Sequence, residues 1–104
     1  MLKKRPEDCA TMAELRVEID ALDTKLLTLL AERQSYTDRA PALKKVEGIA
    51  AAAPKRRAEV IGRIRAGAEA AGFEPDVAEE MWQTMIQTVI DREESIIGTQ
   101  GDDR

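Results

Sequence analysis

Histidine is missing from this 104-residue chain, and cysteine occurs once. Without histidine, the serine–histidine and cysteine–histidine pairs of many hydrolases cannot form, and the usual zinc sites lose their nitrogen ligands. Cys9 has no second cysteine with which to form an internal disulfide, so nothing in the sequence indicates an oxidising compartment. The sequence therefore predicts a protein with no metal ion and no cofactor, in which Cys9 is a structural or incidental thiol and not a nucleophile.

Long apolar runs are lacking as well, since no stretch approaches the ~20 residues of a membrane span. The basic start of the chain leads into no apolar signal core. A net charge of −4, with basic and acidic residues interleaved, argues against a nucleic-acid partner. We therefore expect a cytoplasmic, soluble protein that binds neither membrane nor nucleic acid.

Aromatic residues are limited to Tyr36, Phe73 and Trp82, so the core has to be built from Leu, Ile, Val, Met and Ala. This composition is more typical of packed helices than of a β-sandwich. The length suits one domain. The predicted fold class is therefore all-α.

The first predicted helix is indicated by apolar residues at the alternating spacing of three and four residues that defines a heptad repeat. These residues are Met12, Leu15, Ile19, Leu22, Leu26 and Leu29. Thr11, followed three residues later by Glu14, predicts a capping box and a helix start at Met12. Pro41 is expected to kink this helix or to loosen the turn around Thr37.

A helix from Met12 to about Lys44 would be roughly 48 Å long at 1.5 Å per residue. A compact chain of this size has a radius of gyration of only ~13 Å. The helix would overhang its own domain and leave its apolar seam half covered, so we predict a homodimer built along it.

Two shorter helices are predicted after a loop over residues 45–53, at about Pro54–Ala71 and Pro75–Ile97, with Gly72 as the C-cap of the first. Their expected inward residues are Val60, Ile61, Ile64, Ala68, Val77, Met81, Met85, Val89 or Ile90, and Ile96 or Ile97. The predicted organisation is an N-terminal extension (1–11), a three-helix domain (12–97) and a flexible tail (98–104).

Several charged residues are candidates for a binding site. Arg33 and Lys44 are eleven residues apart, which places them on one face of a continuous helix, whereas Arg16 is turned about 100° away from that face. If the helix pairs with its twin, Arg33 and Lys44 could line one pocket while Arg16 reaches the partner's pocket. The alternative is that these residues, and Glu93 near the end of the third helix, are ordinary solvated charges.

Residues 12–23 (MAELRVEIDALD), the block Leu29–Arg33 (LLAER) and Lys44 together resemble the all-helical (AroQ-type) chorismate mutase family. The resemblance covers about residues 10–97. It implies an intertwined homodimer of three-helix chains with two sites, each formed by both chains. It also implies that the protein converts chorismate, a dicarboxylate of the shikimate pathway to the aromatic amino acids, into prephenate by a pericyclic shift.

The same resemblance implies a role for each matching cation. Arg16 would reach a substrate carboxylate in the partner's site, and Arg33 would hold a carboxylate within its own subunit. Lys44, or Lys45 if the alignment slips by one residue, would bond the ether oxygen and a carboxylate. Arg56 matches a family arginine at the start of the second helix. Fixed cations of this kind hold the reactive conformer and stabilise the charge that builds on the ether oxygen.

The chain departs from the family pattern around the substrate ring. Ala53 and Arg57 stand where the family has two carboxylates for the ring hydroxyl, and Val89 replaces a small hydroxyl-lined position. Glu93 replaces a glutamine that donates to the ether oxygen. An ionised carboxylate cannot donate, so Glu93 is either protonated or serves to position Lys44 and the arginines.

The predicted catalytic residues are thus Lys44, Glu93 and Arg33, and Arg16, Arg56, Arg57 and Val89 are predicted substrate contacts. Three other functions stay open. An isochorismate pyruvate lyase, forming salicylate and pyruvate, belongs to the same family and also lacks the hydroxyl-binding carboxylates. A 4-amino-4-deoxychorismate mutase and a non-catalytic helical dimerisation module are the remaining alternatives.

Overall fold

The computed structural model describes residues 3–103 and contains three α-helices after a single 3₁₀ turn at Pro6–Asp8. The helices are α1 (Met12–Glu47), α2 (Pro54–Ala71) and α3 (Pro75–Ile97). Residues 3–103 contain no β-strand, and the all-α prediction is confirmed. Met1, Leu2 and Arg104, from the predicted N-terminal extension and tail, lie outside the described residues.

The start of α1 follows from its cap. The Thr11 hydroxyl oxygen accepts the backbone N–H of Glu14 at 3.1 Å, which satisfies one of the donors that a helix leaves free at its first turn. The Glu14 carboxylate accepts a backbone N–H in return, although from Ala10 at 2.8 Å and not from Thr11. The predicted start at Met12 is confirmed.

The end of α1 lies three residues beyond the expected one, at Glu47. Gly48 then takes a positive φ of 71°, and the N–H of Ile49 bonds back to the carbonyl of Lys44 at 2.8 Å. The helix continues through Pro41, which is the only buried residue in α1, every residue of which is described. Proline cannot donate a backbone hydrogen bond inside a helix, and burial of its apolar ring offsets part of the free energy lost with that bond.

The chain divides into two compact units, of which the first ends at Tyr36. In the described part of this first unit, eight Met, Val, Ile and Leu side chains of α1 are between 39% and 67% exposed. They are Met12, Val17, Ile19, Leu22, Leu26, Leu27, Leu29 and Leu30. Five of the six residues of the predicted apolar seam are therefore uncovered within one chain.

The second unit begins at Thr37, and in it α2 and α3 pack along each other. Both helices have the predicted bounds. Gly72 ends α2 in the left-handed conformation (φ 79°, ψ 23°), which glycine adopts without steric cost. The buried residues of α3 are Ala78, Ile90 and Glu93, whereas Val77 and Met81, predicted to face inward, are exposed. The buried face of α3 therefore begins one residue later than the apolar spacing indicates.

The segment after α3 returns to the loop between α1 and α2. Asp102 pairs with Ile49 in an isolated parallel bridge, and the Asp103 carboxylate accepts the N–H of Lys55 at 3.0 Å. The sequence predicts a flexible tail over residues 98–104. A hydrophilic segment of this kind gives no indication of which loop it contacts, so the sequence does not predict these bonds. Among the described residues, no helix combines the length and apolarity needed to cross a membrane.

Candidate functional site

Lys44 and Glu93, 49 residues apart in the sequence, meet in the second unit. The ammonium Nζ of Lys44 donates to Oε2 of Glu93 at 2.6 Å and to the carbonyl oxygen of Ala51 at 3.0 Å. The Glu93 side chain is 4% exposed and that of Lys44 is 22% exposed. The structure thus brings together two of the three predicted catalytic residues.

Three elements position this pair. Lys44 lies in the last turn of α1, and Glu93 lies one turn before the end of α3. The loop between α1 and α2 supplies the Ala51 carbonyl, and Ala51 is itself buried. The neighbouring Lys45 is exposed, so Lys44 is the lysine that faces inward.

The surroundings of Glu93 make the ion pair necessary. A buried carboxylate without a partner is strongly unfavourable, and a cation in hydrogen-bond contact compensates the lost hydration. An ammonium group has three N–H donors. Glu93 and Ala51 take two of these, which leaves the third N–H of Lys44 for the oxygen of a ligand.

Val89 lies four residues before Glu93 on α3 and is half-buried. Residues four apart are neighbours on one face of a helix. Val89 therefore lies on the same face of α3 as Glu93, one turn earlier in the helix, and its role as a substrate contact stays a prediction.

Arg57, a predicted substrate contact, has its guanidinium on α3. Its Nε donates to Oε1 of Gln83 at 2.7 Å, and its Nη1 donates to Oε1 of Gln87 at 2.8 Å. A weaker contact of 3.4 Å joins Nη2 to the Gln83 carbonyl. Arg57 therefore links α2 to α3 and uses three of its five N–H donors in these bonds, which leaves two N–H groups for a ligand.

Arg56, the neighbouring predicted contact, is exposed at the start of α2. It makes an ion pair with Glu59 at 3.5 Å, between side chains that are 53% and 69% exposed. Such surface pairs contribute little free energy. The Arg56 guanidinium is therefore available to a ligand at low cost.

Arg16 and Arg33 belong to the first unit. Arg16 is exposed and Arg33 is half-buried. Within residues 3–103, neither guanidinium takes part in a salt bridge. A guanidinium without a salt-bridge partner among the described residues suits a group that binds an anion.

A separate cluster joins α2 to the first turns of α3. Arg65 pairs with Asp76 at 2.9 Å and with Glu79 at 3.0 Å. The hydrogen bond to Asp76, and then the one to Glu79, raises the pKa of Arg65 above its ordinary value. None of the predicted site residues belongs to this cluster. In the described part of the chain, no group of three or more His, Cys, Asp or Glu residues is placed to hold a metal ion.

Two contributors to the site are missed by sequence reasoning. The carbonyl of Ala51 is a backbone group, so no residue type marks it. The tail residues Asp102 and Asp103 meet the loop only in three dimensions. The available signal is the run of small residues over 48–53 (GIAAAA), because such a run allows another segment to approach closely.

The sequence is similar to known proteins over most of its length. The family model "Chorismate mutase type II" matches residues 15–94, which include Lys44 and Glu93. A chorismate mutase from Methanocaldococcus jannaschii is 30% identical over 76 residues, covering 73% of this chain and 77% of that protein. An isochorismate pyruvate lyase from Pseudomonas aeruginosa is 31% identical over 87 residues, covering 84% and 85% of the two chains. A T-protein from Enterobacter agglomerans is 32% identical over 78 residues, 75% of this chain but only 21% of its own length.

Proposed function

The chain belongs to the chorismate mutase type II family, and we propose on this basis that it rearranges chorismate to prephenate. The proposed site uses Lys44, Glu93 and Arg33 of one subunit and Arg16 of a partner subunit. The reaction breaks a C–O bond and forms a C–C bond in one pericyclic step, so it needs no obligatory proton transfer or covalent intermediate. Positioning and charge stabilisation are sufficient to accelerate such a step.

The observation that supports this proposal most strongly is the Lys44–Glu93 pair. As the C–O bond breaks, negative charge builds on the ether oxygen of the substrate. The third N–H of Lys44 would donate to that oxygen, while Glu93 and Ala51 hold the ammonium in place at 2.6 and 3.0 Å. A donor that is already oriented in a half-buried site stabilises this charge more than water does, because it need not reorganise. In this role Glu93 accepts from Lys44 and positions it.

Arg33 and Arg16 would bind the two carboxylates of the substrate. Arginine holds a carboxylate through two parallel N–H donors, which fixes both its position and its orientation. Arg33 and Lys44 are eleven residues apart in α1, a spacing that suits one face of a continuous helix. The proposal assigns Arg16 to the site of the partner chain.

The partner chain follows from the exposed apolar side chains of α1. A row of Met, Ile and Leu residues that are 40% to 61% exposed is unfavourable in water, and a second copy of the same helix would cover it. We propose a homodimer paired along this seam: Met12, Ile19, Leu22, Leu26 and Leu29.

Substrate choice would depend on the residues around the ring. Arg56 and Val89 are proposed substrate contacts, Arg56 because its charge is available and Val89 because it lies one turn from Glu93 on the same face of α3. Arg57 is a proposed contact through the two N–H donors that its bonds to Gln83 and Gln87 do not use. With Ala53 and Arg57 in place of two carboxylates, the site has lost the acceptors expected for a ring hydroxyl.

A second candidate function is isochorismate pyruvate lyase activity. The observation that favours it is the 31% identity to a lyase of that name over 84% of this chain. The loss of the two carboxylates at Ala53 and Arg57 points in the same direction. The same cations would serve that reaction, because it too breaks the bond to the ether oxygen.

One experiment separates the candidates. The purified protein is incubated separately with chorismate, isochorismate and 4-amino-4-deoxychorismate, and the products are identified by chromatography. Prephenate from chorismate supports the proposal, salicylate and pyruvate from isochorismate support the lyase, and turnover of the amino compound alone would replace both. No turnover of any substrate by the folded protein would leave a helical dimerisation module.

Matched variants connect the activity to the site. Lys44→Ala should lower kcat/KM by about 10²- to 10³-fold, the loss typical for removal of one oriented donor. Lys45→Ala, which removes the exposed neighbouring ammonium, should leave the rate unchanged. Equal losses in both variants would contradict the assignment of Lys44.

A further inference from the structure

The tail that follows α3, residues 98–103, is docked against the loop between α1 and α2, residues 48–53. The N–H of Ala50 donates to the carbonyl of Asp102 at 2.7 Å, and the N–H of Asp102 donates to the carbonyl of Gly48 at 2.7 Å. These two bonds flank Ile49 and form the parallel bridge. They attach the tail to the backbone of the loop, independently of the side chains there.

Gly101 makes this docking possible. A Cβ atom at this position would lie 2.5 Å from the backbone N and 2.8 Å from the Cα of Ala50, closer than non-bonded atoms allow. Its φ of +136° is also a conformation that other residues rarely adopt. A side chain at residue 101 would therefore push the tail away from the loop.

Asp103 makes a second contact between the tail and the start of α2. Its carboxylate accepts the N–H of Lys55 in the first turn of α2 at 3.0 Å. Ala53, the N-cap residue of α2, offers no side-chain acceptor of its own. The tail thus supplies the cap that the local sequence lacks.

The loop that the tail holds is the one that orients Lys44. The carbonyl of Ala51 accepts from the Lys44 ammonium at 3.0 Å, and the N–H of Ile49 donates to the Lys44 carbonyl at 2.8 Å. We propose that the tail is a positioning element for Lys44, and that Gly101 is its positioning residue. Its effect on turnover rests on the proposed function, because it acts through the donor that Lys44 offers to the substrate.

The activity test uses Gly101→Val, with Gln100→Val as the matched control at the preceding, exposed position. Misplacing a catalytic group by about 1 Å costs up to ~10²-fold in rate. Gly101→Val should therefore lower kcat by about 10- to 100-fold, with a much smaller change in KM, and Gln100→Val should match the wild type. A chain ending at Gly98 should reproduce the Gly101→Val result.

A second readout does not depend on turnover. Amide hydrogen exchange should show that Ala50 and Lys55 lose protection in Gly101→Val, while interior amides of α2 and α3 keep theirs. The side-chain ¹⁵Nζ resonance of Lys44, assigned by its loss in Lys44→Arg, should show faster proton exchange with water in Gly101→Val only.

The outcomes distinguish this proposal from the proposed function. If the wild type converts none of the three substrates, the proposed function fails, and the Lys44 resonance still decides whether the tail orients the ammonium. If Gly101→Val exposes Ala50 and Lys55 while kcat and the Lys44 resonance stay unchanged, the tail does not position Lys44. Retained protection of Ala50 in Gly101→Val would show that Gly101 is not needed for docking.

Discussion

At the scale of single residues, the character of the site depends on which charges are buried together. Glu93 is almost fully buried, and its carboxylate has the Lys44 ammonium at 2.6 Å. A buried ion pair adds little net stability, because desolvation of both ions offsets their attraction. What the pair contributes to the proposed site is a fixed orientation of the Lys44 ammonium as a hydrogen-bond donor.

The cost of separating this pair gives a first prediction. Lys44→Met leaves the Glu93 carboxylate buried without a cation and should lower the free energy of unfolding by about 3 kcal/mol. The double variant Lys44→Met/Glu93→Leu should recover most of that loss, because apolar residues fill the site without a desolvation penalty. Both variants should lose turnover. Urea unfolding at one protein concentration measures the stabilities, and equal stability of the single and double variants would contradict the coupling.

Glu14 gives a prediction with a defined pH dependence. The backbone N–H of Ala10, and then the hydrogen bond and charge of Lys4, lower the pKa of Glu14 below its ordinary value. A carboxyl whose pKa falls on folding stabilises the folded state above its unfolded pKa of about 4.3. That contribution should be lost as the pH falls through the lower folded value.

The measurement is a ¹³C titration of the Glu14 carboxyl, whose midpoint should lie below that of an unstructured glutamate. In Lys4→Met the midpoint should rise part of the way back, because the Ala10 bond remains. The stability difference between wild type and Glu14→Gln should shrink below about pH 4. A titration midpoint at or above the unstructured value would contradict the cap geometry.

At the scale of elements, helix boundaries follow from local chemistry. Thr11, Pro54, Pro75 and Gly72 mark boundaries that the structure confirms, because caps and prolines act on their nearest neighbours. The end of α1 is less predictable. Ile49 bonds back to Lys44, and the loop is held by the tail, so the helix extends to Glu47 through contacts that lie outside it.

Two glycines of similar local sequence give opposite predictions. Gly72 has a φ of +79°, so Gly72→Ala should cost about 1 kcal/mol of stability. Gly67, inside α2, has nothing within 4 Å of an added Cβ, so Gly67→Ala should gain about 0.5–1 kcal/mol through helix propensity. Thermal unfolding of both variants, at matched concentration, tests the pair. A gain in stability for Gly72→Ala would contradict the left-handed conformation at the end of α2.

At the scale of the whole molecule, α1 is the helix whose apolar side chains are left exposed to solvent in a single chain. Five of the six residues of its apolar seam are exposed, although they have the spacing of a core-facing seam. The proposed homodimer gives this seam its partner, and sedimentation should find twice the 11.5-kDa chain mass.

Subunit mixing tests whether each site is shared. Arg16→Ala and Arg33→Ala should each be inactive as homodimers. If Arg16 of one chain serves the site of the other, a mixed dimer keeps one intact site. Equal mixing with random reassociation should then restore about one quarter of the wild-type activity. Mixing either variant with itself is the control, and no recovery in the mixed sample would place both arginines in the site of one chain.

The sequence by itself determined the all-α class, the starts of the three helices and the family, because helix caps, apolar spacing and motif residues are local properties. It also singled out Lys44 and Glu93 as candidates. Only the tertiary structure decided that these two side chains meet, that the Ala51 carbonyl shares the ammonium and that Arg57 is engaged by Gln83 and Gln87. It likewise decided that the tail docks through Gly101. The physical reason is that these contacts join backbone and side-chain groups distant in sequence, whose approach depends on packing that no local pattern encodes.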